Sequence, residues 1–89
     1  MNYDLDIIVP VFKEEDNISK TLEEILKNLK IKFRILIIYD FDDDPTLEIV
    51  KKNFKRNEII CLKNKYSGFN GAIKTGFENI KANATLLYP

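Results

Sequence analysis

Four apolar stretches punctuate this chain, and amphipathic stretches separate them. Leu5 to Val11 (LDIIVPV) is almost continuously apolar, the pattern of a strand covered on both faces, as in a parallel sheet. Pro10 has no N–H to offer a ladder, so it marks a strand end or a bulge. Ile18, Leu22, Ile25, Leu26 and Leu29 then recur at helical spacing and form one stripe. Asp16 is the expected N-cap of this helix. Glu14 and Glu15 lie near its positive end, Lys27 and Lys30 near its negative end. Phe33 to Tyr39 (FRILIIY) reads as a second buried strand, followed by the acidic loop Asp40-Phe41-Asp42-Asp43. Asp44-Pro45 is a helix start, with Asp at the N-cap and Pro at the first helical position. That helix turns Leu47, Val50 and Phe54 inward and ends over residues 53–57. Glu58 to Leu62 is a short third strand, and Tyr66-Ser67-Gly68 is a turn. A third helix is expected from Phe69 to about Lys81, burying Phe69, Ala72, Ile73, Gly76, Phe77 and Ile80. Gly76 costs that helix about 1 kcal/mol against Ala, and close packing on the sheet accounts for it. Ala84 to Tyr88 is the fourth strand.

The order β-α-β-α-β-α-β implies a Rossmann-like α/β fold, with a parallel sheet and right-handed crossovers, in one domain over residues 1–89. Ligands of such sheets sit outside the carboxyl ends of the strands. That directs attention to Pro10 to Asn17 and to Asp40. Composition narrows the partners. Fourteen basic residues balance fourteen acidic ones, so net charge points to neither nucleic acid nor an anionic membrane. There is no histidine, which removes the usual general base and the commonest metal ligand. The single cysteine, Cys61, lies in an apolar run; it excludes a disulfide framework and reads as a buried, inert thiol. No apolar run is long enough to cross a bilayer, and the start, MNYDLD, carries acids rather than the basic residues of a signal peptide. A cytoplasmic location is the resulting expectation.

Each candidate motif has a plain alternative. Helix capping alone explains the acids of Lys13-Glu14-Glu15-Asp16. The functional reading is that Pro10 and Phe12 form a shelf for a base while Glu14 accepts hydrogen bonds from a ribose or a base edge. Asp40, at the end of the second strand, can accept from the ring N–H of uracil or guanine, because a carboxylate offers acceptors and no competing donor; otherwise it is a loop aspartate. Asp42, Asp43 and Asp44 suggest a metal, but consecutive residues seldom converge on one ion, and capping is the better account. Gly71 to Gly76 resembles a phosphate loop, yet Phe77 and Glu78 stand where Lys and Ser/Thr are required. The glycines also lack dinucleotide spacing and follow the third strand rather than the first.

Taken in order, three blocks resemble the N-terminal part of a family-2 glycosyltransferase of the GT-A nucleotide-diphospho-sugar transferase fold, nearest to the dolichol- or polyprenol-phosphate sugar transferases. Pro10-Val11-Phe12-Lys13-Glu14-Glu15-Asp16-Asn17 is similar to the family's Pro-x-Tyr-Asn-Glu-Glu-x-Asn turn, with Lys13 in the place of Asn. Tyr39-Asp40-Phe41-Asp42-Asp43-Asp44-Pro45-Thr46 is similar to Asp-Asp-Gly-Ser-x-Asp-x-Thr, with Tyr39 in the place of the first Asp. The stretch from Tyr66 through Gly68 and Ala72 to Gly76 is similar to Asn-x-Gly-x-x-x-Ala-x-x-x-Gly, with Tyr66 in the place of Asn. The resemblance implies that Pro10, Phe12, Glu14 and Asp40 line a nucleotide-sugar pocket for a UDP- or GDP-sugar. It implies a polyprenyl phosphate acceptor, Mg²⁺ or Mn²⁺, and membrane association for a full-length enzyme. The family's metal-holding acidic motif would begin where this chain reads Leu86-Leu87-Tyr88-Pro89. The expectation is therefore an incomplete GT-A domain that can grip a nucleotide but has no residue to bind the metal or act as base.

Two other readings stand beside it. One is a non-catalytic α/β module that self-associates or assembles with a partner chain, since the family's strand order, 3-2-1-4, leaves the fourth strand as a bare edge. The other, a receiver-type or flavodoxin-like domain, fits less well: Asp4 and Asp6 come before the first strand rather than after it, and no phosphate loop is present.

Overall fold

A computed structural model describes residues 3–88; Pro89, named above at the start of the expected acidic motif, lies outside them. The elements run β1 (Leu5–Val11), α1 (Ile18–Asn28), β2 (Phe33–Tyr39), α2 (Pro45–Asn53), β3 (Ile59–Lys63), α3 (Gly68–Glu78) and β4 (Ala84–Leu87). The sheet order is β3-β2-β1-β4. Every neighbouring pair is parallel, with Leu5 level with Phe33 and Ala84, and Ile35 level with Ile59. Both the α/β class and the 3-2-1-4 order expected from the sequence are borne out.

Strand alternation divides the core in two. Ile7, Val9, Val11, Ile35 and Ile37 face α1 and α2, where Ile18, Leu22, Ile25 and Val50 meet them. Ile8, Leu36 and Ile38 face α3 and pack on Ala72. β1 and β2 are buried on both faces, which is why their sequences look continuously apolar.

The α3 stripe differs from its expected composition. Ala72, Thr75 and Gly76 are the buried residues, while Phe69 and Phe77 are more than half exposed. Small residues win because the helix lies close to the sheet. A Cβ on Gly76 would stand 2.7–2.9 Å from three side-chain atoms of Ile8. The helix also ends at Glu78, short of Lys81, and Asn79 Nδ2 donates to Thr75 O (2.7 Å) across its last turn. At the start of α1 the N-cap is Asn17 rather than Asp16, with no side-chain cap bond. The carbonyl of Glu14 instead accepts the N–H groups of Asn17 (3.0 Å) and Ile18 (2.8 Å).

The face under α3 is apolar in the middle and polar at both ends. At the amino end Asp6, which sits inside β1 rather than ahead of it, pairs with Arg34 directly across on β2. Arg34 Nε and Nη2 donate to the two Asp6 oxygens at 2.9 and 3.0 Å, with both residues buried. Arg34 Nη2 also donates to Asn79 O (2.7 Å), and Asp6 Oδ2 accepts the N–H groups of Lys81 (2.7 Å) and Ala82 (3.0 Å). Burial pushes the Asp6 carboxyl up, but Arg34 and these two N–H groups outweigh it and hold it below the ordinary range. Cys61 is half-buried, and burial raises its thiol against the opposing pull of Lys51, which keeps it from the reactive thiolate form.

Candidate functional site

At the opposite, carboxyl end of the sheet, β1 leads into a turn held by the start of α2. Lys13 has φ +51°, in the left-handed region, which Asn enters more readily than Lys. Its N–H donates to Asp44 Oδ2 (2.9 Å), and the next N–H, of Glu14, donates to Thr46 Oγ1 (2.8 Å). Asp44 Oδ1 accepts the N–H of Thr46 (2.9 Å), the N-cap bond of α2 expected from Asp44-Pro45. One buried carboxylate thus caps α2 and pins the turn after β1. Burial raises its affinity for a proton; the Lys13 N–H, the Thr46 hydroxyl and the Thr46 N–H more than reverse this, and the carboxyl ends below its ordinary value.

Asp40 follows the last residue of β2, on the face toward α3. The N–H of Asn64 donates to Tyr39 O (2.8 Å), so pairing of β2 with the β3 side continues one residue past β3. This sets Asn64 beside Asp40, and Asn64 Nδ2 donates to Asp40 Oδ1 at 2.7 Å. The N–H of Gly68, the first residue of α3, approaches Asp40 Oδ2 at 3.4 Å. Ser67, the N-cap residue, makes no side-chain cap bond. Asp40 therefore places negative charge at the positive end of α3 from a neighbouring strand.

Between the turn and the start of α3 lies a cleft of about 660 Å³, within the size range of small-molecule sites. Pro10, Phe12, Glu14 and Asp40, the four residues singled out in the sequence, all line it. Among the other lining residues are two aromatic ones that sequence reasoning missed, Phe41 and Phe69. Phe41 stands in an acidic loop, where the sequence gives it no role; Phe69 falls on the apolar stripe of α3 and reads as core. Phe12, Phe41 and Phe69 are 55%, 53% and 57% exposed, an unusual concentration of accessible aromatic surface around one hollow. The Phe12 and Phe41 ring centres are 6.0 Å apart, tilted by 59°, and Lys13 Nζ lies 5.4 Å from the Phe12 ring. Aromatic faces with an acceptor carboxylate beside them suit a flat heterocycle that carries a ring N–H.

The acidic run Asp42 to Asp44 does not converge. Asp42 pairs with Lys63 Nζ (2.9 Å) on the surface, and Asp44 is occupied by its cap. Among the described residues no group of three His, Cys, Asp or Glu side chains could hold a metal ion. The Mg²⁺ or Mn²⁺ implied by the resemblance therefore does not fit these residues. No helix among them is long and apolar enough to cross a membrane.

Comparison with known proteins adds to this geometry. A family model described as glycosyl transferase family 2 matches residues 6–87. An uncharacterized glycosyltransferase from Synechocystis sp. is 30% identical over 91 residues, covering 97% of this chain and 29% of its own length. The central glycolytic genes regulator of Bacillus subtilis is 35% identical over 72 residues, covering 81% of this chain and 19% of its own length. The chain thus spans less than a third of the length of either relative.

Proposed function

This chain belongs to glycosyl transferase family 2, and we propose that its cleft is the base-binding part of a nucleotide-diphospho-sugar site. The carrying observation is that Pro10, Phe12, Glu14 and Asp40, from two strand exits, line one hollow with Phe41 and Phe69. In this reading the aromatic rings pack on the base, and Asp40 accepts its ring N–H, N3–H of uracil or N1–H of guanine. Glu14 accepts from a ribose hydroxyl. The donor is a UDP- or GDP-sugar and the acceptor a polyprenyl phosphate, the acceptor resting on the sequence resemblance alone. In the inverting transfer the acceptor oxygen attacks the anomeric carbon as the bond to the diphosphate breaks, and the nucleoside diphosphate leaves. Charge on that leaving group must be neutralised, and a neutral acceptor hydroxyl needs a base. No described residue is placed for either task, so the role assigned to these residues is binding without turnover.

Calorimetry with UDP and GDP tests the reading. The expected result is binding by the wild-type chain and its loss in Asp40→Ala. Unchanged binding in that variant removes Asp40 from the site, and sugar transfer by the 89-residue chain with Mg²⁺ or Mn²⁺ refutes the binding-only role.

A second reading rests on β4. That strand pairs with β1 along one edge only, and Leu86, Leu87 and Phe77 are exposed. A free apolar edge can pair with a second copy. Light scattering that shows only monomer at high protein concentration rules this out.

A further inference from the structure

We propose that Asn64 is the positioning residue of this cleft, fixing the Asp40 carboxylate for a base N–H and locking the Ser67–Phe69 wall to the strand that carries Asp40. The proposal rests on the nucleotide reading above. Its basis is that the Asn64 side chain, in a residue only 7% exposed, uses its whole hydrogen-bonding capacity. Nδ2 donates to Asp40 Oδ1 (2.7 Å) and to Gly68 O (3.1 Å). Oδ1 accepts the N–H of Tyr66 (3.0 Å) and the hydroxyl of Thr75 (3.0 Å). The network also decides which way the amide points. Turned over, its oxygen would face the Asp40 carboxylate and its hydrogens the Tyr66 N–H.

Thr75 completes the device from α3. It is 1% exposed, and its Oγ1 accepts the N–H of Lys65 (3.0 Å) while donating to Asn64. Gly71 lets the first turn of α3 close over the amide, since a Cβ there would stand 2.8 Å from Tyr66 Cβ and 3.3 Å from Asn64 Oδ1. Neither Asn64 nor Thr75 lines the cleft, whereas Asp40, Ser67, Gly68 and Phe69 all do. Asn64 therefore acts through what it holds. Two donors and two acceptors in one short planar group are what the four surrounding atoms demand, and aspartate, which offers no donor when ionised, cannot supply them. Holding a carboxylate in place before the base arrives removes part of the ordering cost of binding.

The substitution Asn64→Asp makes the test sharp. It sets two carboxylates at hydrogen-bonding distance, where one holds a proton to higher pH than a lone carboxylate would. With that proton the aspartic acid can donate to Asp40 as the amide did; without it, the two repel. UDP affinity, measured by calorimetry from pH 5 to pH 8 and expressed relative to wild type at each pH, should fall on the order of tenfold at the alkaline end and recover at the acid end, the loss being the size of one positioned hydrogen bond. Thr75→Val, which keeps shape and releases the amide oxygen, should weaken UDP binding several-fold, and Thr75→Ser should restore it. Circular dichroism checks that each variant is folded, and the Thr75 pair carries the test if Asn64→Asp is not. If wild type binds neither UDP nor GDP, the nucleotide reading falls and this proposal with it. If wild type binds, but the folded variants match it at every pH, Asn64 has no positioning role and the nucleotide reading stands.

Discussion

Replacing Asp44 by Ala should destabilise the domain far more than a surface aspartate would, and the reason can be apportioned. Asp44 is 5% exposed, and its bonds to backbone N–H groups do two jobs, one to Thr46 and one to Lys13. Losing the N-cap bond costs about 1 kcal/mol. Leaving the Lys13 N–H without its acceptor costs about 1–3 kcal/mol more, toward the low end if water reaches it. The sum, about 2–4 kcal/mol, is a large share of the roughly 5–15 kcal/mol that holds a small domain together. At about 4–8 °C per kcal/mol for a domain of this size, the melting temperature should fall by at least about 8 °C. Urea denaturation at pH 7, followed by circular dichroism, gives the free energy directly. Asp44→Ser separates the two jobs, because a serine hydroxyl can cap α2 but is too short to serve Lys13 as well. Its loss should fall between wild type and Ala. A loss below about 0.5 kcal/mol for Asp44→Ala, the range of an ordinary surface change, or equal losses for Ser and Ala, would refute the two-job account.

Four further outcomes follow from the same geometry. Gly76→Ala should be net destabilising by about 1–2 kcal/mol, the helix-propensity gain being outweighed by the clash with Ile8; adding Ile8→Ala should remove the clash, giving a favourable coupling energy in a double-mutant cycle. Lys13→Asn should raise stability by a few tenths to about 1 kcal/mol, since φ +51° suits Asn, and a lower urea midpoint would count against it. Arg34→Met should cost about 3–5 kcal/mol at pH 7, because it leaves the buried Asp6 charge without its partner; a loss under about 1 kcal/mol would show that the pair is dispensable. Acid should weaken the fold. Asp6 and Asp44 both have folded-state values below the ordinary one, so the unfolded chain takes up protons first as pH falls. Their contribution is whole at neutral pH and fades below about pH 5, and it is gone once the pH passes the lowered folded values. A urea midpoint unchanged between about pH 5 and pH 3 would contradict this.

The architecture was legible because its signals are local or periodic. Continuous apolar runs marked β1 and β2, and the Asp44-Pro45 pair marked the start of α2 to the residue. The four cleft residues were legible as well, since strand exits are where such sheets bind. What escaped depends on pairing between distant segments. Arg34 and Asp6 are 28 residues apart, and nothing local says that two charges in apolar strands face each other. Phe69 looked like core because its position on the stripe is right; only the short distance between α3 and the sheet, set by Gly76 and Thr75, sends the ring outward into the cleft. Asn64 falls between the expected third strand and the Tyr66 turn, where the sequence assigns it no role. The alternation Ile60, Leu62, Asn64, set beside Ile38, Asp40, was the available signal, and it becomes meaningful only once β2 and β3 are known to be in register.

The bonds from Lys81 and Ala82 to Asp6 join segments 75 and 76 residues apart. Such a contact is among the last to close as these strands assemble, because the loop it seals is some 75 residues long. With Arg34 alone as its partner, the Asp6 carboxylate must then wait for these two N–H groups until the segment leading into β4 arrives. The Asp6 clasp belongs to the finished state more than to the nucleus, and its strength should appear as resistance to unfolding. Asp6→Asn should accelerate unfolding while leaving the refolding rate nearly unchanged, and a variant that mainly slows refolding would place the clasp in the transition state instead. A fold fastened this way is held shut where residue 6 meets residues 81 and 82, and its lifetime, more than its rate of formation, depends on one buried aspartate.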